Sequence, residues 1–181
     1  LMKLGSKLIV VDPQVTWIAA HAEYHLQLRP GTDTALALAM CNVIISEDLY
    51  NHEFVEKWVY GFNEFAECAA EWTPEKAGEI CWIPAETIQG AARAFATNYP
   101  SSALWGLSID TMTNGVQAGH TFLAICALCG YMDIPGGITL ARPSSFTGKW
   151  RYETVNSVPD EIRAKRIKDL DGKYKCWDAA G

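Results

Sequence analysis

The sequence has no apolar run near the ~20 residues that a bilayer-spanning helix requires. Its longest, Phe122 to Leu128, stops far short. It has no excess of positive charge either: 15 lysines and arginines face 21 aspartates and glutamates, a net charge of −6. A nucleic-acid partner usually leaves a basic footprint, so neither nucleic-acid binding nor direct membrane insertion is expected. No GxSxG, P-loop, HExxH or GxGxxG string occurs, which removes the common signatures of a nucleophile elbow, a phosphate cradle and a zinc-protease helix. The four histidines, His21, His25, His52 and His120, share no metal-ligand spacing. His21 and His25 stand four apart, but an expected break from helix to strand between them spoils a common face. The opening Leu1-Met2-Lys3-Leu4-Gly5 runs almost directly into a strand. It lacks the features of a secretory signal and reads as a cut inside a longer chain.

Cysteine is present but too sparse for a disulfide scaffold. Cys41, Cys68, Cys81, Cys126, Cys129 and Cys176 lie mostly in apolar periodic segments, as reduced packing residues do. Cys126 and Cys129 form a CxxC inside what looks like a buried helix, and no second pair or nearby histidine completes a zinc site. Packing is the favoured reading over metal or redox chemistry.

The 181 residues, 49% hydrophobic and 20% charged, have ordinary globular composition and length enough for one real core. Lys7 to Val11 is a β-branched run ending at Asp12-Pro13, as a strand of a buried parallel sheet would. A helix is expected over 15–23 and a second, alternating strand over 24–28. The turn Arg29-Pro30-Gly31-Thr32-Asp33 follows, with Thr32 or Asp33 placed to cap a helix carrying Leu36, Ala39, Met40, Val43 and Ile44. Short helices over 51–58, 63–72, 73–80 and 84–97 make a helical block, with proline at the first position of two of them. Ser102 to Leu107 reads as a third buried strand, 108–115 as a loop, and 116–129 as a long apolar helix ended by Gly130. After Arg142 the pattern decays into a charged segment. The order predicts an α/β fold: a small parallel sheet with flanking helices, a Rossmann-like dinucleotide-binding domain over 1–141 with a helical insert at about 48–98, and a tail over 142–181.

Ligands of such sheets bind beyond the carboxyl ends of strands, where three turns lie. Asp12 can accept hydrogen bonds from a ribose or base, or simply end a strand. In the second turn Gly31 permits close backbone approach, Thr32 offers a hydroxyl, and Asp33 accepts only. A carboxylate there can take both N–H groups of a guanine edge; the alternative is an ordinary turn and helix cap. In the third, Gly106 leaves room for a planar group and Thr111 or Asn114 can bond it, or the loop is only a loop. No complete catalytic constellation is present.

The stretch from Gly5 to Phe62, GSKLIVVDPQ through LRPGTDTALALAM to WVYGF, resembles the molybdopterin oxidoreductase family related to dimethyl sulfoxide reductase and formate dehydrogenase. That family typically reads strand–Asp-Pro–Arg, then LRPGTD before an alanine- and leucine-rich helix. WTPEKAGEICWIPAETIQGAARAFA, SALWGLSIDTMTNGVQ and GYMDIPGGI are similar to later family stretches, in the same order, so the resemblance covers roughly residues 5 to 141. It implies a bis-molybdopterin guanine dinucleotide cofactor with molybdenum or tungsten, bound between α/β domains. Asp12, Pro13, Gln14 and Thr16, with Gly31, Thr32 and Asp33, would hold the guanosine end of one dinucleotide, Asp33 being the preferred guanine contact. Gly106, Leu107 and Thr111 would lie toward the pterin. Gln14 stands where the family often has arginine, and Thr111-Met112 where it often has Gln-His; the second departure weakens any pterin or substrate role for that loop.

The family's cysteine cluster for an iron–sulfur centre, a molybdenum ligand and the C-terminal capping domain have no counterpart in the sequence, so no catalytic or metal residue is assigned. The expectation is an internal fragment of a molybdenum-dependent oxidoreductase, inactive alone, partnered by the remaining domains and an iron–sulfur electron-transfer subunit. The parent would be cytoplasmic, or exported by a twin-arginine signal outside this segment. The alternatives are a nicotinamide-dependent dehydrogenase domain, disfavoured by the missing glycine-rich first turn, and an interaction module using Arg163 to Lys168.

Overall fold

The computed structural model describes residues 5–139 and 159–163. Two compact units divide the chain, Leu1–Leu140 and Ala141–Gly181. In the second, the described part is proline 159 and one helical turn, Asp160–Arg163; most of the basic segment lies outside the described residues.

In the first unit β1 (Ile9–Val11) pairs in parallel with β2 (Tyr24–Leu26), with Ile9 opposite Tyr24, Val10 opposite His25 and Val11 opposite Leu26. Asp12 still donates its N–H to Leu26 O at 3.3 Å, and Pro13 then ends the ladder because it has no donor to offer. The crossover is not the expected helix over 15–23. Only the single 3-10 turn Ala19–His21 forms, because Val15, Trp17 and Ile18 are exposed and find no core to pack against.

The core is built around α1 (Asp33–Ser46), which buries nine residues from Ala35 to Ile44. Apolar residues lie all round it because helices cover it on several sides. α3 (Phe62–Ala70), α4 (Pro74–Cys81), α5 (Ala85–Thr97) and α7 (Gly115–Leu128) all pack on it, while α2 (His52–Trp58) packs on α7. Local chemistry starts these helices as expected: Asn51 Oδ1 accepts from Phe54 N–H at 2.9 Å, and Thr73 Oγ1 from Lys76 N–H at 3.3 Å ahead of Pro74. α1 begins differently. Thr32 holds its cap position but turns its hydroxyl away, donating to Arg29 O at 2.6 Å.

The third strand is not there. Among the described residues the sheet has two strands, and residues 101–106 run without regular structure into the short helix α6 (Leu107–Thr111), placed where a loop is expected. Leu104 is 99% exposed and Leu107 74%, so this apolar run has no neighbours to bury it on two faces. The architecture is mixed α/β, mostly helical, with a small parallel sheet. Cys126 lies in α7 and Cys129 directly after it, both buried and free, and His21 and His25 fall in a 3-10 turn and a strand.

Candidate functional site

β1, the start of α1 and the segment before α6 enclose a cavity of about 900 Å³, within the size range of small-molecule sites. Its apolar lining includes Ile9, Val11, Met40, Phe122 and Ile125, and its polar lining includes Lys7, Asp12, Asp33, Asn98, Ser102 and Ser108. Of the residues expected from sequence, then, Asp12, Asp33 and Gly106 all line this one cavity. Pro13, Gln14, Thr16, Gly31, Thr32, Leu107 and Thr111 stand outside the lining.

The loop after β1 spends part of its polarity on itself. Asp12 Oδ1 accepts from Gln14 N–H at 2.8 Å, Gln14 O from Thr16 N–H at 3.0 Å, and Thr16 Oγ1 from Ala19 N–H at 3.1 Å. Gln27 Nε2 donates to Pro13 O at 3.0 Å, and His25 Nε2 lies 2.9 Å from Asp12 O. These bonds fix the loop and leave the exposed Gln14 side chain free of any role in holding it.

The second turn is pinned to the end of α4. Arg29 N–H donates to Cys81 O at 2.9 Å, and the Cys81 thiol to Thr32 O at 3.5 Å. Gly31 adopts φ +84°, a left-handed conformation that favours glycine, and a Cβ placed there would meet nothing within 4 Å. Backbone is thus open to a ligand at that point. Asp33 is half-buried; burial pushes its carboxyl above the usual value, partly opposed by its own backbone N–H. Thr32, by contrast, is buried with its hydroxyl committed, so it shapes the turn rather than offering a free group.

The third segment divides. Gly106 precedes α6 with open space where a Cβ would stand, whereas Thr111 donates back to Leu107 O at 3.1 Å from an exposed position. Asn114 Nδ2 donates to Thr34 Oγ1 at 3.0 Å, tying the start of α7 to the start of α1. Sequence reasoning missed Ser102 and Ser108, which line the cavity and carry no signal beyond their place in a polar stretch. Outside the lining, the Arg29 guanidinium lies 5.5 Å from the Trp82 ring centroid.

Chemically, the lining offers carboxylate acceptors, serine hydroxyls and unencumbered backbone at Gly106 beside apolar side chains. That suits a flat heterocycle with polar edges. Among the described residues no nucleophile–base pair lines it, and no group of three or more histidine, cysteine or acidic side chains is disposed to hold a metal ion.

Comparison with known proteins gives a consistent picture. A family model for molybdopterin oxidoreductase matches residues 2–167. Acetylene hydratase of Syntrophotalea acetylenica is 42% identical over 166 residues, covering 92% of this chain and 23% of that protein. The F420-dependent formate dehydrogenase alpha subunit of Methanocaldococcus jannaschii is 36% identical over 134 residues, covering 74% and 19%. The solved structure of acetylene hydratase from Pelobacter acetylenicus superposes with a TM-score of 0.70 at 44% identity, over 71% of this chain and 18% of that one. The chain therefore spans 18–23% of the length of these relatives.

Proposed function

The chain belongs to the molybdopterin oxidoreductase family, and on that premise we propose that it supplies part of a bis-molybdopterin guanine dinucleotide site within a longer enzyme. Residues 1–141 act as a Rossmann-like dinucleotide-binding domain, with the guanosine end of one dinucleotide at the carboxyl end of β1 and the start of α1, where sheets of this kind take ligands. The observation that carries the reading is that Asp12 and Asp33 both line one cavity. The open backbone at Gly31 supports it. When bound, the molybdenum or tungsten pterin supplies the oxidation–reduction chemistry. This chain's own residues orient the nucleotide: Asp33 accepts from the guanine edge, Asp12 from ribose, and the apolar lining residues exclude water. The metal ligand, the iron–sulfur centre and the electron-transfer partner belong to the remainder of that enzyme.

The test is binding of GDP and ADP to the 181-residue chain and to Asp33→Ala, by calorimetry. Loss of a charged acceptor to a guanine edge costs about 1–3 kcal/mol, so GDP affinity should fall by about 5- to 150-fold with little change for ADP. Equal affinity for both nucleotides, unaltered by the substitution, refutes the assignment.

A further inference from the structure

β1 ends against a proline, and the backbone just before that proline is left with a group to satisfy. In a parallel pair, a residue facing its partner strand gives its N–H to one partner residue and accepts at its carbonyl from the residue two further on. Asp12 keeps the first of these bonds, donating to Leu26 O at 3.3 Å. The second would come to Asp12 O from Leu28 N–H. Leu28 instead turns back on its own strand and donates to Leu26 O at 2.9 Å. The carbonyl of a half-buried residue that lines the cavity has therefore lost its ladder partner, and such a group costs free energy unless another donor reaches it.

The second strand supplies that donor from a side chain. His25 Nε2 lies 2.9 Å from Asp12 O. A carbonyl oxygen only accepts, so Nε2 carries the proton. Gln27 Nε2 does the same for the next carbonyl, donating to Pro13 O at 3.0 Å. Alternate side chains thus hold the segment leaving β1 past the point at which backbone pairing stops. Of the two, His25 is half-buried and Gln27 exposed, so the imidazole bond is the better shielded from water. Downstream, Asp12 Oδ1 is fixed by Gln14 N–H at 2.8 Å, which leaves Oδ2 as the oxygen to present to a ligand.

We propose that His25 is a positioning residue for Asp12: its imidazole replaces the absent ladder amide and sets where the Asp12 carboxylate stands in the cavity. The ligand group it serves is a vicinal diol, the ribose of a nucleotide. The inference rests on the nucleotide reading above and adds what orients the ribose acceptor; recognition of the guanine edge by Asp33 does not depend on it.

Two measurements on the 181-residue chain test it. Calorimetry gives the affinity ratio of guanosine to 2′,3′-dideoxyguanosine, which isolates the ribose hydroxyls. In the parent chain guanosine should bind about 10- to 150-fold tighter, and Asp12→Ala should erase that ratio. His25→Phe keeps a ring but removes the donor. It should lose most of the ratio while still preferring guanosine to adenosine, a preference that belongs to Asp33 and reports a folded site. His25→Gln carries an amide N–H at the reach of imidazole Nε2 and should restore the ratio. The second measurement is a long-range proton–nitrogen correlation spectrum of the unliganded chain, which should show a proton on His25 Nε2. A full ratio in His25→Phe overturns the positioning role, as does a His25→Gln chain that fails to recover it, or an Nε2 without its proton. A parent chain that prefers guanosine to adenosine but ignores the ribose hydroxyls sinks this inference and leaves the guanine reading standing. A parent chain that binds neither nucleoside sinks both.

Discussion

Alkylation of the folded chain at pH 8, followed residue by residue, should separate its cysteines by orders of magnitude. Cys68 is exposed, whereas Cys41, Cys81, Cys126 and Cys129 are buried. Burial pushes the Cys129 thiol from an ordinary value near 9.0 to about 12, with the neighbouring Cys126 adding to the shift. Cys126 is pushed to about 11, also by burial. Three pH units remove about a thousandfold of thiolate at Cys129. A more basic thiolate is a better nucleophile, with a Brønsted slope of about 0.4–0.5, so the net chemical penalty is about 30- to 60-fold. Access multiplies it, because Cys129 is 5% exposed and Cys126 fully covered, and each must wait for local opening of the α1–α7 contact. Iodoacetamide pulses, quenched and digested for peptide mass spectrometry, give the rate at each site. Among the five described cysteines, Cys68 should label first, with Cys126 and Cys129 at least two decades behind. Comparable rates at Cys68 and Cys129, or a Cys126–Cys129 disulfide forming under mild oxidation of the folded chain, would refute the packing role of the CxxC and reopen redox chemistry there.

Two further outcomes follow from the core and the site. Leu36→Ala empties a fully buried position in α1 and should cost about 2–5 kcal/mol in urea unfolding; a loss under 1 kcal/mol would mean that α1 is not the centre of the core. Because burial raises the Asp33 carboxyl above 3.8, the folded chain holds a proton there that the unfolded chain releases. Its stabilising effect is complete below 3.8 and is lost as pH rises through the raised value. Stability curves of the parent and Asp33→Asn should therefore differ in slope across that window and run parallel above it; parallel curves throughout would contradict the shift.

The parts of the fold legible in the sequence are those fixed by local chemistry. Asn51, Thr73-Pro74 and the spacing of Ile88, Ala91, Ala92 and Phe95 in α5 declare helices because capping and periodicity act within a turn or two. The run Ser102 to Leu107 misled for the opposite reason. An apolar run signals burial only if partners exist, and whether a strand has neighbours is decided elsewhere in the chain. The candidate site shows the same division. Asp12 and Asp33 could be named from turn chemistry, but that both line one cavity depends on tertiary packing. That Thr111 bonds its own helix, and that Thr32 faces inward, are tertiary outcomes that composition does not encode. The contact of the Arg29 guanidinium with the Trp82 ring joins two turns 53 residues apart in sequence, a separation that no local pattern encodes.

The encirclement of α1 by four helices has a consequence for binding. A helix gripped on several sides cannot slide or tilt without disturbing much of the hydrophobic interior, so the position of its first turn is settled when the chain folds. Asp33 and Thr34 sit on that turn, and Asn114 is lashed to it. A ligand arriving there orders little that is not already ordered, and the entropic toll of organising a loop around it is small. Recognition at this end of the molecule should behave like a rigid socket: fast to engage, little affected by temperature through loop ordering, and altered at a distance by any substitution that lets α1 shift in its sleeve.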